Sequence, residues 1–300
     1  YEIETNKRKI HSNVVIIASG AFGEPHIPKF SSKSQNKILQ IHSSQYKNSK
    51  VLPEGATLVV GSGQSGSQIT EDLIESGRKV WLSVSKCGRR LRNYRGHDSS
   101  WWNNEMGLFD KTVKDVPFNE RWKCSSHTSG SKGGHDINLI DLREKGLNLC
   151  GSVSNYSSER IFFDNNLYEN LKFSDNSALQ WSKNVDNYIK KNNLKLPDQN
   201  ISHDPRIIKE KLISPKYISF NSSKISTIIW ATGFRFNFDW IKLNITQKNG
   251  HPIQERGITN FKGLYFMGLQ WMYSSKSAQF IGVNEDAEYV VSDINQKFNF

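Results

Sequence analysis

The glycine-rich segment LVVGSGQSGSQITEDLIESG, residues 58–77, constrains the fold more than any other part of this sequence. Its first residues are apolar and predict a buried strand. The residues from Gln64 to Glu75 place apolar side chains at helical spacing and predict a helix that ends before Gly77. Gly61, Gly63 and Gly66 separate the two halves, and the apolar run KVWLSV follows. The order of strand, glycine turn, helix and strand predicts one βαβ unit, whose two strands lie parallel.

A Gly-x-Gly-x-x-Gly turn in this position is typical of dinucleotide binding. Gly61 would permit the tight turn, Gly63 would let the backbone approach a pyrophosphate, and Gly66 would let the helix pack on the strand. The helix N-terminus would present N–H groups and the positive end of its dipole. The alternative is a tight connection without a ligand, but the βαβ context favours a nucleotide. The predicted contacts are Gly61, Ser62, Gly63, Gln64, Ser65 and Gly66.

The end of the second strand indicates which dinucleotide would bind. A site for NAD usually has an acidic residue there to bind the ribose hydroxyls, but the sequence VWLSVSKCGRR has none. Hydroxyl groups and fixed cations suit the 2′-phosphate of NADPH instead. The alternative is that these basic side chains are only solvated. The residues predicted to contact this phosphate are Ser85, Lys86, Arg89 and Arg90.

Composition excludes several other classes of protein. The formal charge is +11 over 300 residues, but the basic residues are scattered, which does not predict nucleic-acid binding. No apolar run reaches 18 residues, so we expect no membrane span. Cys87, Cys124 and Cys150 are odd in number and form no Cys-x-x-Cys. The sequence therefore predicts no disulfide framework, no metal site and a reducing, cytoplasmic compartment.

Further elements follow from the same patterns. The runs VVIIASG, TIIWATG and GLYFMGL predict three more buried strands, the first two ending in a similar small-residue sequence. Apolar residues between Ser174 and Asn192 predict a helix. The region from Gly88 to Gly151 is irregular and predicts long loops.

Five segments together resemble the flavin-containing monooxygenase family, and most closely its bacterial FAD-dependent oxidoreductase relatives. They occur in the order of that family and cover most of the chain. They are VVIIASGAFGEPHIP, ILQIHSSQYKN, LVVGSGQSGSQITEDL, TIIWATGFRFNFDWI and GLYFMGLQWMYSSKSAQFIGVNEDAEYV.

The resemblance implies an α/β flavoprotein with two dinucleotide-binding domains. A doubly wound, Rossmann-like NADPH domain, residues 31–224, would be inserted between two parts of an FAD-binding domain, residues 1–30 and 225–300. The family's first glycine turn, which binds the FAD diphosphate, is absent from this sequence. We therefore expect that turn to precede Tyr1 and the chain to be a fragment. The alternative is a naturally truncated protein that no longer binds FAD.

The resemblance also implies further cofactor contacts. His42, Ser43 and Tyr46 match part of the family signature, and Tyr46 resembles the branch that oxygenates nitrogen or sulfur. Asn36–Ile38 replace the leading Phe-x-Gly of that signature. The sequences ASG and ATG match the two crossings between the domains. Together with the C-terminal segment, these crossings add Ser19, Gly20, Thr232, Gly233, Gln270, Lys276 and Gly282 to the predicted cofactor-binding residues.

The implied reaction is hydride transfer from NADPH to FAD, followed by oxygenation of a small nucleophilic substrate through a flavin C4a-hydroperoxide. No catalytic side chain is assigned, because the cofactor carries the chemistry. The alternatives are a flavin reductase or oxidase without oxygen insertion, and a dinucleotide-binding module without turnover. The predicted partners are the substrate and dioxygen, with a homodimer left open and the substrate undetermined.

Two conspicuous loop sequences are predicted to be structural. The pair His135 and Asp136 is expected to anchor a loop, although an acid–base role for the histidine is the alternative. Trp101 and Trp102 are expected to pack in a core, although they could line a ligand pocket.

Overall fold

The computed structural model describes residues 1–29 and 38–299, and its contacts divide the chain into two compact units. The first unit comprises Tyr1–Glu24, Asn103–Lys123 and Phe234–Phe300, and the second comprises Pro25–Trp102 and Cys124–Gly233. The chain therefore passes between the units several times. Asn36 and Lys37 of the predicted signature lie outside the described residues.

The second unit contains a five-stranded parallel sheet. Its central register pairs Leu58 with both Trp81 and Ile228. The strand TIIW lies in this sheet, so the unit extends to Gly233 rather than ending at residue 224. In spatial order the strands are β10 (Asn148–Cys150), β7 (Val80–Ser83), β6 (Ala56–Val60), β14 (Ile225–Trp230) and β5 (Leu39–His42).

The two faces of this sheet are covered differently. Val59, Leu82 and Ile229 belong to one buried cluster, which also contains residues of helices. Leu58 and Ile228 belong to another cluster, formed with a three-stranded antiparallel sheet. Alternate residues of a strand point to opposite faces, so the uninterrupted apolar sequence LVV serves both clusters. The prediction of a Rossmann-like α/β fold with a parallel sheet is confirmed, and the second face is covered by strands.

Helix α1 (Gln64–Glu75) has the predicted bounds. It begins directly after Gly63, and its buried face includes Ile69 and Leu73. The helix ends where Gly77 adopts a positive φ of 78°, a conformation that costs glycine little. The turn and the helix are therefore both explained by local sequence.

Helix α5 (Leu167–Lys191) is longer than the helix predicted from Ser174. Leu167 and Leu171 are buried and extend its apolar face towards the N-terminus. The exposed Phe173 interrupts the apolar pattern and explains the late start of the prediction.

The remaining elements of the second unit are short. Its antiparallel sheet has the order β11 (Val153–Tyr156), β12 (Arg160–Phe163), β13 (Tyr217–Ser219). Single turns of 3₁₀ helix occur at Ser43–Gln45, Ser49–Val51 and Ser131–Gly133. The other bounds are β8 (Asn93–Tyr94), β9 (His97–Asp98), α4 (Leu139–Glu144) and α6 (Pro205–Glu210).

The first unit contains two small sheets and one long helix. The strands VII and LYF pair in parallel, with Val15 opposite Leu264. The helix packs through Val290 and Ile294 against Tyr265. Its elements are β1 (Glu2–Glu4), β2 (Lys9–His11), β3 (Val15–Ile17), α3 (Phe118–Arg121), β16 (Leu264–Phe266) and α7 (Val283–Phe298).

Three elements lie at the junctions of the segments. They are β4 (Glu24–Pro25), α2 (Ser99–Glu105) and β15 (Phe234–Arg235). Over the described ranges, no helix combines the length and the apolar character needed to cross a membrane.

Candidate functional site

The glycine turn joins β6 to α1 in a backbone path that requires glycine. Gly61 has a φ of +102°, and a Cβ atom there would lie 2.5 Å from the carbonyl oxygen of Ala231. A Cβ on Gly66 would collide with the carbonyl oxygen of Gly61. The first glycine therefore makes the turn, and the third lets the helix pack against the end of the strand.

The N-terminus of α1 is uncapped. Gly63 is the N-cap residue, no side chain caps the helix, and its first turn contains no acidic residue. The helical bonding begins with the N–H of Ser67, which donates to the carbonyl oxygen of Gly63 at 2.9 Å. The N–H groups of the first turn precede that bond and have no partner within the helix. Unpaired N–H groups of this kind and the positive end of a helix dipole favour the binding of an anion.

Ser62 and Ser85 connect the turn to the segment that follows β7. The N–H of Ser85 donates to Oγ of Ser62 at 3.0 Å, and the N–H of Ser62 donates to Oγ of Ser85 at 3.3 Å. Ser62 is buried. These two predicted contacts therefore hold the shape of the site by bonding to each other.

The predicted cations after β7 have different surroundings. Arg89 forms a largely buried ion pair with Asp175, at 2.6 Å between Nη2 and Oδ1. The same carboxylate also binds Nδ1 of His203 and the N–H of Asp204. Arg89 is therefore engaged in fixing the loop to α5.

Lys86 and Arg90 remain for a ligand. Lys86 is exposed, with Nζ 5.1 Å from the ring centre of Phe173. Arg90 is half-buried, and burial lowers its pKa while the carboxylate of Asp98 raises it. Within residues 1–29 and 38–299, neither cation forms an ion pair of the kind that engages Arg89.

A second segment, which we call the adjacent loop (residues 124–136), lies against the turn. The N–H of Thr128 donates to Oε1 of Gln64 at 3.2 Å, and Nε2 of Gln64 donates to the Thr128 carbonyl oxygen. The N–H of His127 donates to the Gly88 carbonyl at 2.9 Å, and the N–H of Arg90 donates to the His127 carbonyl at 3.1 Å. Gln64 therefore binds protein, and the loop runs beside residues 88–90.

The histidine–aspartate pair anchors this loop, as expected. Nε2 of His135 lies 2.7 Å from Oε1 of Glu71 on α1. Asp136 accepts a hydrogen bond from the N–H of Arg92. Both partners are structural groups of the same unit, which supports the anchoring interpretation over an acid–base role.

The prediction of no disulfide is wrong for two of the three cysteines. Cys87 and Cys124 form a disulfide, with Cα atoms 5.6 Å apart, whereas Cys150 is buried and free. The pair is 37 residues apart in sequence, and the backbone bonds between the adjacent loop and residues 88–90 bring it together. Spacing alone could not show this, because the contact depends on the path of a long loop.

Two other groups from the sequence analysis are structural. His42 is fully buried, and its ring nitrogens lie 2.9 Å from Oγ of Ser44 and from the Gly233 carbonyl oxygen. His42 therefore holds the backbone of the segment ATG in place. In the same segment, the hydroxyl of Thr232 donates to the His26 carbonyl. Trp102 is buried, and its Nε1 donates to the Tyr94 carbonyl at 2.7 Å, as expected of a core residue.

The predicted cofactor residues of the first unit surround the start of α7. A Cβ on Gly282 would lie 2.7 Å from the Lys276 carbonyl oxygen, so this position requires glycine. Nζ of Lys276 lies 2.7 Å from Asp110 and 2.6 Å from Glu285. Ser19 is exposed, and Gly20 has a φ of +74°.

The first unit also contains a cavity of about 370 Å³ beside Gln270. Arg256 lies on its wall, 4.2 Å from the ring centre of Tyr273, and pairs with the buried Asp286 at 3.0 Å. Much of the lining is aromatic, formed by Phe118, Trp122, Phe236, His251, Trp271, Tyr273 and Tyr289. No grouping of acidic, cysteine and histidine side chains suited to a metal ion occurs among the residues that the structure describes.

Comparison with known proteins agrees with this architecture. The family model for pyridine nucleotide-disulphide oxidoreductase matches residues 1–129. An uncharacterized CzcO-like oxidoreductase of Geobacillus kaustophilus is 29% identical over 301 residues, covering 98% of this chain and 68% of that protein.

Two solved structures share the fold. A variant of the flavin monooxygenase from Stenotrophomonas maltophilia has a TM-score of 0.57 at 14% identity, over 98% of this chain and 66% of its own. The cadaverine monooxygenase DfoA of Erwinia amylovora, solved with FAD, has a TM-score of 0.55 at 13% identity, over 96% and 62%.

The chain is therefore similar in sequence to a CzcO-like oxidoreductase and similar in fold to flavin monooxygenases. It spans about two thirds of the length of the relatives it matches. Similarity to the oxidoreductase extends over nearly the whole chain, so both units belong to the shared architecture.

Sequence reasoning missed several groups that shape this candidate site. Asp175 and Asp286, which neutralise arginines, lie within helices and carry no local signal beyond an acid on an otherwise apolar face. Cys124 lies in an irregular loop. The sequence could have drawn attention to an acidic residue on an apolar helix face, but it could not have identified the arginine that pairs with it.

Proposed function

We propose that the protein is an NADPH- and FAD-dependent oxidoreductase that resembles flavin-containing monooxygenases. The observation that carries the proposal is the uncapped N-terminus of α1 behind a turn that only glycine can form at Gly61 and Gly66. An uncapped helix start without acidic residues, at the carboxyl edge of a parallel sheet, suits a pyrophosphate.

The second unit would bind NADPH. The pyrophosphate would accept hydrogen bonds from the first turn of α1, and the 2′-phosphate would lie near Lys86 and Arg90. Arg89 would act indirectly, because its ion pair with Asp175 holds this segment in place. The sequence analysis assigned all three cations to the 2′-phosphate, whereas this proposal assigns only Lys86 and Arg90 to it.

The first unit would contribute to the FAD site. Glu285 and Asp286 in the first turn of α7 do not suit a phosphate, because like charges repel. The cavity beside Gln270 is aromatic and lies within the size range of small-molecule sites, which suits a planar ring. DfoA, which shares the fold, was solved with FAD.

The proposed reaction needs no catalytic triad or metal. When bound, FAD would supply the redox chemistry between NADPH and dioxygen by which a small nucleophilic substrate is oxygenated. The residues of this chain would bind and orient the cofactors and exclude water. The buried His42 and the ion pair of Arg89 are among the groups that keep the binding segments rigid.

The test is a titration of the FAD-loaded, whole protein with NADP⁺ and NAD⁺ under reducing conditions. We expect NADP⁺ to bind at least about tenfold more tightly, since charge-assisted phosphate contacts contribute roughly 1.5–3 kcal/mol. A Lys86→Ala, Arg90→Ala variant should lose this preference. Lys79→Ala is the matched control, because Lys79 is exposed directly before the amino end of the same strand.

Gly63→Val tests the turn itself. A side chain at this position would stand where the pyrophosphate approaches the backbone, so the variant should lose NADP⁺ affinity by about 100-fold or more while remaining folded. Equal affinity of the wild type for both dinucleotides would contradict the NADPH assignment. Normal binding by a folded Gly63→Val protein would contradict a role of the turn in binding.

A further inference from the structure

The space above Gly63 is occupied by a sulfur atom. A Cβ atom on Gly63 would lie 3.1 Å from Sγ of Cys124, and, apart from the neighbours of Gly63 in the chain, no other described residue comes within 4 Å of that position. The backbone of Gly63 is extended, with a φ of −71°, so the conformation alone does not require glycine here. The missing side chain therefore leaves space that Cys124 fills.

That space is where a dinucleotide would have to be. The second glycine of such a turn lets a pyrophosphate approach the backbone, next to the uncapped N-terminus of the helix. A sulfur atom in contact with this glycine would exclude phosphate oxygens from it and would offer the N–H groups no charged acceptor. Disulfide formation and dinucleotide binding therefore compete for one volume.

We propose that Cys87 and Cys124 form a reversible redox site that closes the glycine turn when oxidised and opens it to NADPH when reduced. The inference rests on the proposed function, since it assumes that the turn binds NADPH. A reversible disulfide needs one sulfur that a soluble thiol can reach, and the two residues differ in exposure accordingly. Cys124 is exposed, whereas Cys87 is only 1% exposed.

The exchange chemistry follows from this difference. The thiolate of a soluble dithiol attacks Sγ of Cys124, forming a mixed disulfide while the sulfur of Cys87 leaves and takes a proton. The second thiol of the reductant then attacks its own sulfur in the mixed disulfide and releases Cys124. The dithiol loses two electrons and becomes a disulfide, and the protein gains two thiols. The reverse sequence, with an oxidised dithiol, closes the site.

Opening requires only a local movement. The rest of the adjacent loop is held independently, by the bonds of Gln64 to Thr128, of His127 to Gly88 and of His135 to Glu71. Reduction therefore frees Cys124 at the start of the loop and leaves its remainder attached. Cys150 takes no part, because it is fully buried and burial raises the pKa of its thiol.

The experiment measures thiol content and NADP⁺ affinity on the same samples. The whole, FAD-loaded protein is equilibrated with either reduced or oxidised dithiothreitol, which is then removed without air. Alkylation after denaturation and mass spectrometry count the free thiols, and calorimetry measures the Kd of NADP⁺. NADP⁺ is the probe because it carries no hydride, so no turnover occurs.

We expect two more free thiols in the reduced protein and at least a tenfold lower Kd. Cys124→Ser and Cys87→Ser should both bind as tightly as the reduced wild type and ignore the oxidant. Cys150→Ser, the matched control, should keep the full redox response.

Each contrary outcome is distinct. An equal Kd in wild-type samples that differ by two thiols would overturn the redox site while leaving the proposed function intact. An unchanged thiol count after oxidation would also overturn it. Absence of NADP⁺ binding in every form, Cys124→Ser included, would overturn the proposed function itself.

Discussion

The two helices that begin after a glycine, α1 and α7, offer opposite environments at their N-termini. Neither has a side-chain cap, and both were predicted to face a cofactor. The first turn of α1 contains no acidic residue, whereas that of α7 contains Glu285 and Asp286. These carboxylates are paired with Lys276 and Arg256.

The difference shows that a glycine before a helix does not by itself define an anion site. The dipole of α7 is already balanced by the chain's own carboxylates, and their charges are balanced by nearby cations. Different groups also occupy the space left by the missing side chains. Lys276 lies there at Gly282, whereas Cys124 or, as we propose, a phosphate lies there at Gly63. Only α1 retains the electrostatics that phosphate binding needs.

The largest expected effect comes from breaking the charge balance at α7. Arg256→Ala should lower the free energy of unfolding by about 3–5 kcal/mol, because it leaves the buried carboxylate of Asp286 without its partner. Denaturant titration would measure it. An Arg256→Met, Asp286→Leu double variant should recover much of the loss. A single variant as stable as the wild type would show that the balance at α7 is unimportant.

Lowering the pH should destabilise the protein through the loop beside α1. Burial lowers the pKa of His127 in the adjacent loop to about 4, with the charge of Arg89 acting in the same direction. The unfolded chain binds a proton at this histidine more readily than the folded chain does. The contribution of neutral His127 to the free energy of unfolding is therefore fully present above about pH 6.5, and about 3 kcal/mol of it is lost as the pH falls to about 4.

His127→Gln should remove that part of the acid dependence, and the matched His11→Gln, at an exposed site, should not. Unfolding measured between pH 7 and 4 provides the comparison. Parallel curves for the wild type and His127→Gln would argue against a buried neutral histidine.

The smallest expected effect comes from adding a negative charge at the start of α1 or removing one at the start of α7. Ser65→Asp places a carboxylate in the first turn of α1 and should weaken NADP⁺ binding by about tenfold, through repulsion of the phosphates. Ser65→Asn has a similar size and serves as the control. Glu285→Gln at α7 should leave NADP⁺ affinity unchanged. Equal affinities for Ser65→Asp and Ser65→Asn would mean that the start of α1 does not contact the phosphates.

Local sequence determined the central part of this protein. The apolar runs predicted strands β6, β7 and β14, and helical spacing with flanking glycines predicted the bounds of α1. These features depend on neighbours within a few residues, so that a short pattern contains the physical information. The family resemblance added the order of the segments and the flavoprotein architecture.

Tertiary structure decided how the site residues are used. Arg89 and Arg90 are adjacent in sequence and were predicted to act alike, but Asp175 engages the first. Cys87 and Cys124 were predicted to be unpaired, yet the adjacent loop brings them together beside Gly63. Ion pairs and disulfides join residues far apart in the chain, and their formation depends on loop paths that no local pattern encodes. The sequence alone therefore determined the turn, and only the fold decided what lies against it.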